Sequence, residues 1–326
     1  MNFNKRLGKI TESSIFRMDG YFVWCGSVVK GKDGLYYLYF SFWDKDETFD
    51  SGWLTSSKIG YGVSDNPYGG FEFRGIALDG GAGWDRDSVH NPAVIEYNGR
   101  YYMYYMGNYG DGEYWSHRNN QRIGVAVADR PDGPWTRFDK PVIDVSEKGF
   151  DSLMVSNPSV TPGKDGKLYM IYKAVENNGK LPKGGAVVCG IAVADNPLGP
   201  FVKHTQPVLT NPENEWSVED AFIWLENGRY YVLAKDFQGY FTKTEKGDIA
   251  LFTSENSFDW QVADYPLATK KELPFEEGNL PVHRMERPQL FIEDGVPKAL
   301  LCACMPKEND EEAFNVSIPI SRSTEE

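Results

Sequence analysis

The sequence predicts an all-β fold, a five-bladed β-propeller with four antiparallel strands per blade, from three observations. An Asn-Gly or Asp-Gly turn feeding an aromatic or aliphatic run recurs through the chain, with glycines at Gly34, Gly99, Gly166, Gly228 and Gly295, at spacings of 65, 67, 62 and 67 residues. Such turns flanked by apolar runs are hairpin signals, and self-similarity at a fixed period marks a repeat architecture. Each turn is also preceded by a second apolar run and, in four of the five units, followed by a third, while helical periodicity is nearly absent. Four strands repeated radially make a propeller blade, and a β-sandwich would not repeat the same grammar five times.

The elements follow in order. The first strands run through Gly26-Ser27-Val28-Val29, Asn91-Pro92-Ala93-Val94-Ile95, Asn157-Pro158-Ser159-Val160, Asp220-Ala221-Phe222-Ile223-Trp224 and Arg287-Pro288-Gln289-Leu290-Phe291. The glycine turns and second strands come next, beginning with Lys32-Asp33-Gly34-Leu35-Tyr36-Tyr37 and Tyr97-Asn98-Gly99-Arg100-Tyr101-Tyr102. Third strands are expected over 59–64, 123–128, 188–194 and 249–254. Three of them end in a shared turn, Asp65-Asn66-Pro67, Asp129-Arg130-Pro131 and Asp195-Asn196-Pro197, after which Gly-Gly-Phe, Gly-Pro-Trp or Gly-Pro-Phe opens a fourth strand. Residues 1–326 are thus expected to form a single domain. The long segments 43–58 and 107–122 exceed hairpin length and read as binding loops; the acidic run 307–312 reads as solvated.

Composition narrows the function. The 326 residues include 19 Phe, 19 Tyr and 9 Trp, which argues against disorder, and 34 Lys plus Arg stand against 47 Asp plus Glu, a net charge of −13. That balance lacks the excess base that nucleic acid or an anionic membrane surface requires. No apolar run approaches the roughly 20 residues of a spanning helix. The first 14 residues hold basic side chains without an apolar segment, so no signal peptide is expected here, and localisation and oligomeric state stay open. Cys25, Cys189, Cys302 and Cys304 form no CxxC pair and no zinc spacing, and read as buried thiols.

Inner strands of a propeller converge on one axis, so the residues at their starts are the candidates for chemistry: Trp24-Cys25, His90-Asn91, Ser156-Asn157, Glu219-Asp220 and Glu286-Arg287. Adjacent acids entering an apolar strand, as at Glu219-Asp220, are electrostatically wasteful unless they serve a site. The five starts also differ from one another, which favours one asymmetric central site over five equivalent binding sites. Trp24 and Trp43 offer aromatic faces for a sugar ring, and Arg122, Lys173, Lys235 and Asp236 follow inner strands as candidate binders of hydroxyls or a carboxylate. Each of these also has a structural reading, as a solvated charge or a satisfied buried group.

With these strand starts and the His90-Asn91-Pro92, Trp53-Leu54-Thr55 and Glu286-Arg287-Pro288-Gln289 motifs, the chain resembles the five-bladed propeller glycoside hydrolases, the superfamily of families 43, 32, 62 and 117, over essentially its whole length. It is similar to a less characterised bacterial branch nearer family 117. The resemblance implies a glycosidase, exo-acting and inverting, with an oligosaccharide substrate, no membrane or nucleic-acid partner and no cofactor; a structural calcium is compatible with the axis, but no metal ligand is assigned. It implies three acids at the starts of separate blades: Asp220 as the acid that tunes a pKa, Glu286 as general acid, and a base. The family 43 base lies in an Asp-Pro pair, where this chain reads Trp24-Cys25-Gly26-Ser27, so Asp19 is the base candidate and Asp87 its rival. Trp24, Trp43, His90, Asn91, Arg122, Asn157, Lys173, Glu219, Asp236, His283 and Arg287 are expected to bind substrate, His283 with a share in proton donation. A glycoside phosphorylase of the same fold, with phosphate held by Arg284, Arg287 and His283, and a non-catalytic sugar-binding propeller are the alternatives.

Overall fold

The computed structural model describes residues 1–307 and 312–321; most of the acidic run 307–312 lies outside them. A short strand β1 (Ile15–Phe16) precedes the first blade, which comprises β2 (Tyr21–Lys30), β3 (Tyr36–Asp44), β4 (Lys58–Ser64) and β5 (Glu72–Leu78). The second comprises β6 (Ser88–Tyr97), β7 (Arg100–Asn108), β8 (Arg122–Ala128) and β9 (Thr136–Arg137), and the third β10 (Met154–Pro162), β11 (Leu168–Val175), β12 (Val187–Ala194) and β13 (Val202–Lys203). The fourth comprises β14 (Val218–Glu226), β15 (Arg229–Asp236), β16 (Ile249–Ser254) and β17 (Gln261–Thr269). A hairpin, β18 (Glu272–Phe275) with β19 (Gly278–Pro281), leads to β20 (Arg284–Glu293), β21 (Val296–Met305) and β22 (Phe314–Pro319). Each of the five sheets is four-stranded and antiparallel, which is the five-bladed propeller.

The fifth blade is completed by the other end of the chain: β1 pairs with β22, Ile15 opposite Val316. This closure joins the ends of the propeller and leaves no open interface between the first and last blades. Nearby, buried Arg6 meets Glu226 at 3.0 Å, tying the N-terminal segment to the fourth blade.

Two classes of hairpin underlie the glycine repeat. At Asn98-Gly99, Asn227-Gly228 and Asp294-Gly295 both central residues have positive φ, the two-residue turn whose twist matches the strands. At Gly34 and Gly166 only the glycine does; Leu35 N and Lys167 N donate to Asp33 Oδ1 and Asp165 Oδ1 at 3.1 and 3.2 Å, and their carbonyls accept from Gly31 N and Gly163 N, closing a longer loop. The shared turns have a packing purpose. Tyr39 donates its hydroxyl to the carbonyl of Pro131, and Tyr104 donates to that of Pro197 at 2.8 Å, so the second strand of one blade is hooked to the turn of the next.

The long segments are not bare loops. α1 (Phe49–Thr55), capped by Thr48 accepting from Ser51 N at 3.3 Å, stands over the first blade, and α2 (Tyr114–Asn119) over the second. The two helices pack against each other beside the propeller axis. Among the described residues, no helix is long and apolar enough to cross a membrane. All four cysteines are buried and free.

Candidate active site at the propeller axis

The five strand-start pairs do not stand at strand starts. Each lies within its inner strand, at a bulge repeated in every blade. Pairing with the second strand slips between Trp24 and Ser27, His90 and Ala93, Ser156 and Ser159, Glu219 and Phe222, and Glu286 and Gln289. In each bulge the second member of the pair takes a left-handed backbone: Cys25 at φ 58°, Asn91 at 55°, Asn157 at 51°, Asp220 at 59° and Arg287 at 54°. Asn and Asp tolerate that region; Cys and Arg occupy it only where the surroundings over-determine them. Bulges of this kind re-aim side chains.

The re-aimed side chains link into a chain around the axis. Cys25 Sγ donates to Asn91 Oδ1 at 2.6 Å, Asn91 Nδ2 to Asn157 Oδ1 at 2.5 Å, and Asn157 Nδ2 to Asp220 Oδ1 at 2.7 Å. Arg287 then reaches Asp220 twice, from its backbone N at 3.2 Å and from Nη1 at 3.4 Å. All five residues are at most 5% exposed. Asn91, Asn157, Asp220 and Arg287 floor a cavity of about 440 Å³, with Cys25 behind them.

The preceding residues form its wall. Trp24, His90, Glu219 and Glu286 line the cavity, joined by Trp43 from β3, Phe49, Asp50 and Trp53 from α1, Tyr114, Arg118 and Gln121 from α2 and its exit, and Trp216, Phe237 and Arg284. One side is therefore aromatic and the other charged. His90 is clasped by Ser57 Oγ at 2.8 Å and sits between the rings of Trp43 and Trp53; burial and the charge of Arg287 push it well below its ordinary pKa, so it is neutral.

Each wall glutamate is met by a lysine from the second strand of the preceding blade. Lys173 on β11 pairs with Glu219, and Lys235 on β15 pairs with Glu286 at 2.5 Å. Burial alone would raise the Glu219 pKa, but Lys173, Lys235 and Arg287 outweigh it and hold this carboxyl below its ordinary range. Asp220 goes the other way. Burial, then the charge of Glu219, then that of Glu286, push it up to about 6 against the pull of Arg287 and Lys235. Burial disfavours the Lys235 ammonium, yet Glu286, Glu219 and Asp220 keep its pKa above the ordinary value. Neighbouring carboxyls are thus driven apart, the arrangement that divides acid and base duties. Burial pushes the Cys25 thiol well up, which leaves it protonated in the floor.

Of the expected residues, Asp220, Glu286, Trp24, Trp43, His90, Asn91, Asn157, Lys173, Glu219 and Arg287 converge on this cavity. Four do not. Asp19 is exposed in a separate shallow depression with Arg17, Tyr21, Lys45 and Glu312, because it lies in the turn ahead of β2 and not at the bulge that faces the axis. Arg122 points to Asp144 at 2.6 Å, away from the cavity. Asp236 is fully buried and accepts from the backbone N of Phe241 and Thr242 at 2.8 and 2.9 Å, which orders the turn after β15. His283 lines a neighbouring cleft that it shares with Lys235 and Glu286. The rival base Asp87 is also outside, accepting from Gly110 N at 2.8 Å beside His117. Glu286 pairs with Lys235 and not with Arg284 or Arg287. Among the described residues no cluster of three or more His, Cys, Asp or Glu is placed to hold a metal ion. Arg118, Gln121, Trp53 and Trp216 were not foreseen; the length of the two insertions was the only signal for the first three.

Comparison with known proteins places this geometry. The family described as Glycosyl hydrolases family 43 matches residues 75–189, and the structure superposes on a family 117 glycoside hydrolase of Zobellia galactanivorans with TM-score 0.67 and 21% identity, covering 97% of this chain and 90% of that one. The chain is thus similar to family 43 glycosyl hydrolases over residues 75–189 and shares its five-bladed propeller fold with a family 117 glycoside hydrolase. A xylosidase/arabinosidase of Bacteroides ovatus is 28% identical over 220 residues, 63% of this chain, and the match spans 62% of that relative's length. A Lactobacillus brevis α-L-arabinofuranosidase superposes with TM-score 0.62 at 16% identity, covering 93% of this chain and 92% of that one. The family match takes in the second and third blades. Glu219 and Glu286 lie beyond it, so the acids of this chain are placed by their geometry.

Proposed function

We propose that the chain is a glycosidase that hydrolyses the terminal O-glycosidic bond of a plant or algal oligosaccharide. The observation that carries this reading is that two wall carboxyls, Glu219 and Glu286, share one axial cavity closed below by a ring of buried side chains. Glycoside cleavage needs one carboxyl to protonate the leaving oxygen and one ionised carboxylate. Glu219, flanked by Lys173 and Lys235, is the ionised partner, Glu286, met by Lys235 alone, is the proton donor, and Asp220 lies beneath as the third acid. This role for Glu219 replaces that of Asp19.

A floored cavity at the small end of ligand-pocket volumes accepts one chain end, which supports exo action. The aromatic side offers Trp24, Phe49 and Trp53 to the apolar face of a ring. Trp43 Nε1, Gln121 Nε2 and Arg287 Nε, all on lining residues, are enclosed and have no partner among the described residues. An inverting outcome is supported by the superfamily resemblance alone. The plant or algal class is supported by the xylosidase/arabinosidase relative and by the marine bacterial enzyme of the same fold.

The test is a panel of aryl glycosides and plant or algal oligosaccharides, with products followed by NMR. The proposal expects a single terminal sugar, released with inverted anomeric configuration. Internal cleavage removes exo action, and a retained configuration removes inversion. The cationic side chains of the cavity also suit phosphate as the acceptor. Running the panel with and without phosphate separates the two: a sugar phosphate product replaces the hydrolase reading with a phosphorylase.

A further inference from the structure

The cavity is lined by five cationic side chains and four carboxyls, in a protein of net charge −13. Four of the cations are matched: Lys173 with Glu219, Lys235 with Glu286, Arg287 with Asp220 at 3.4 Å, and Arg284 with Asp50 at 3.5 Å. Arg118 is left over. It is 6% exposed, and among the described residues no carboxylate pairs with it. Burying a guanidinium is costly unless its charge and its donors are met.

Its fixed contacts leave one edge open. Nη1 donates to Asn119 Oδ1 at 2.8 Å and to the carbonyl of Lys183 at 3.0 Å, and the guanidinium lies 5.5 Å from the centre of the Trp115 ring. Asn119 Nδ2 adds a bond to the carbonyl of Pro182 at 2.9 Å, so the end of α2 is bolted to the third blade's loop. No partner among the described residues takes Nε or Nη2, and neither is a fully enclosed atom. The side chain of this lining residue is therefore anchored through Nη1, and its Nε–Nη2 edge has no partner among the described residues. That edge offers two parallel donors, the fork that grips a planar carboxylate.

We propose that the sugar bound in this cavity is a uronic acid, and that Arg118 receives its carboxylate through the Nε–Nη2 edge. This rests on the cavity being a sugar site, as proposed above. Arg118 is then a specificity residue: it binds the charged substituent of the ring and takes no part in proton transfer. Its matched position completes the pairing, since one substrate carboxylate supplies the fifth anion.

The test is calorimetric binding of uronic acids and of their neutral parent hexoses to the intact protein, and to Arg118→Gln and Arg118→Lys. A charge-assisted pair predicts roughly 10- to 100-fold tighter binding of at least one uronic acid than of its parent. Arg118→Gln should abolish that preference, so that each uronic acid binds no tighter than its parent, while Arg118→Lys, keeping the charge without the fork, should retain only part of it. Thermal melts establish that both variants fold, and the lysine variant carries the comparison if the glutamine variant does not. Uronic acids bound no better than their parents overturn the proposal, as does a preference that survives in Arg118→Gln. So does inorganic phosphate or sulfate binding through Arg118 in place of the uronic acids. Turnover is read separately: uronic acid binding without release of sugar would leave this substrate class standing and remove the glycosidase reading.

Discussion

Replacing Lys173 by methionine removes one ammonium from Glu219 and keeps most of the side-chain volume. The two side chains are 12% and 16% exposed, so their attraction is little screened by solvent. An opposite charge this close lowers a carboxyl pKa by about 1–3 units, and each unit is about 1.4 kcal/mol. Lys235 and Arg287 remain, so the carboxyl should rise by an amount within that range and not return to the full value burial would impose. If Glu219 acts as the ionised carboxylate, activity needs it deprotonated. The acid limb of kcat/KM against pH should then move upward by about 1–3 pH units, measured on an aryl glycoside with a good leaving group. Stability follows with the same sign. Glu219 is depressed in the folded protein, so its contribution is present above the ordinary glutamate pKa and lost as pH falls, and in Lys173→Met that contribution shrinks. Lys173→Arg keeps the charge and should keep the limb. An acid limb unmoved in Lys173→Met would refute the assignment of Glu219.

Three further outcomes are expected. Asp220, pushed up to about 6, binds its proton more tightly folded than unfolded, so wild-type stability should fall as pH rises from about 4 through about 6; urea melts of Asp220→Asn should lack this fall. Asp19→Asn and Asp87→Asn, both outside the cavity, should leave kcat/KM within about twofold of wild type, since neither touches the bound sugar. Asn157→Ala removes a donor to Asp220 and the acceptor of Asn91 while keeping a left-handed backbone, and chemical denaturation should register a loss of about 2–4 kcal/mol.

The blades were legible because their signals are local. An Asn-Gly turn with apolar runs on both sides states a hairpin without reference to the rest of the chain, and the shared Asp-x-Pro turns mark where third strands end. The pairs Trp24-Cys25 to Glu286-Arg287 could also be found by counting. What counting could not supply was the bulge: a register slip with a left-handed residue sends Trp24, His90, Glu219 and Glu286 to the wall and Asn91, Asn157, Asp220 and Arg287 to the floor. Sequence order alone therefore gives Glu219 only a substrate-binding part beside a catalytic Asp220, whereas the bulge stands it in the wall above Asp220. Asp19 is near the first inner strand in sequence, but the axis is met farther along, at Trp24 and Cys25. Arg118 was out of reach because its place depends on α2 docking against the loop at Pro182 and Lys183, a contact between distant segments. The closing strand β1 is two residues long, too short for periodicity to announce.

The central claim is that Glu219 and Glu286 form the acid–base pair of a glycosidase, and leaving-group dependence tests it most directly. kcat/KM is measured for wild type, Glu219→Gln and Glu286→Gln on two glycosides of one sugar, one with an acidic phenol as leaving group and one with a simple alcohol. Positioned acid–base catalysis is worth about 10²–10⁴-fold. Glu286→Gln should lose activity in that range on the alcohol glycoside and far less on the phenol, which departs without a proton. Glu219→Gln should lose it on both. Equal losses on the two glycosides in Glu286→Gln, or full activity in Glu219→Gln, would contradict the account.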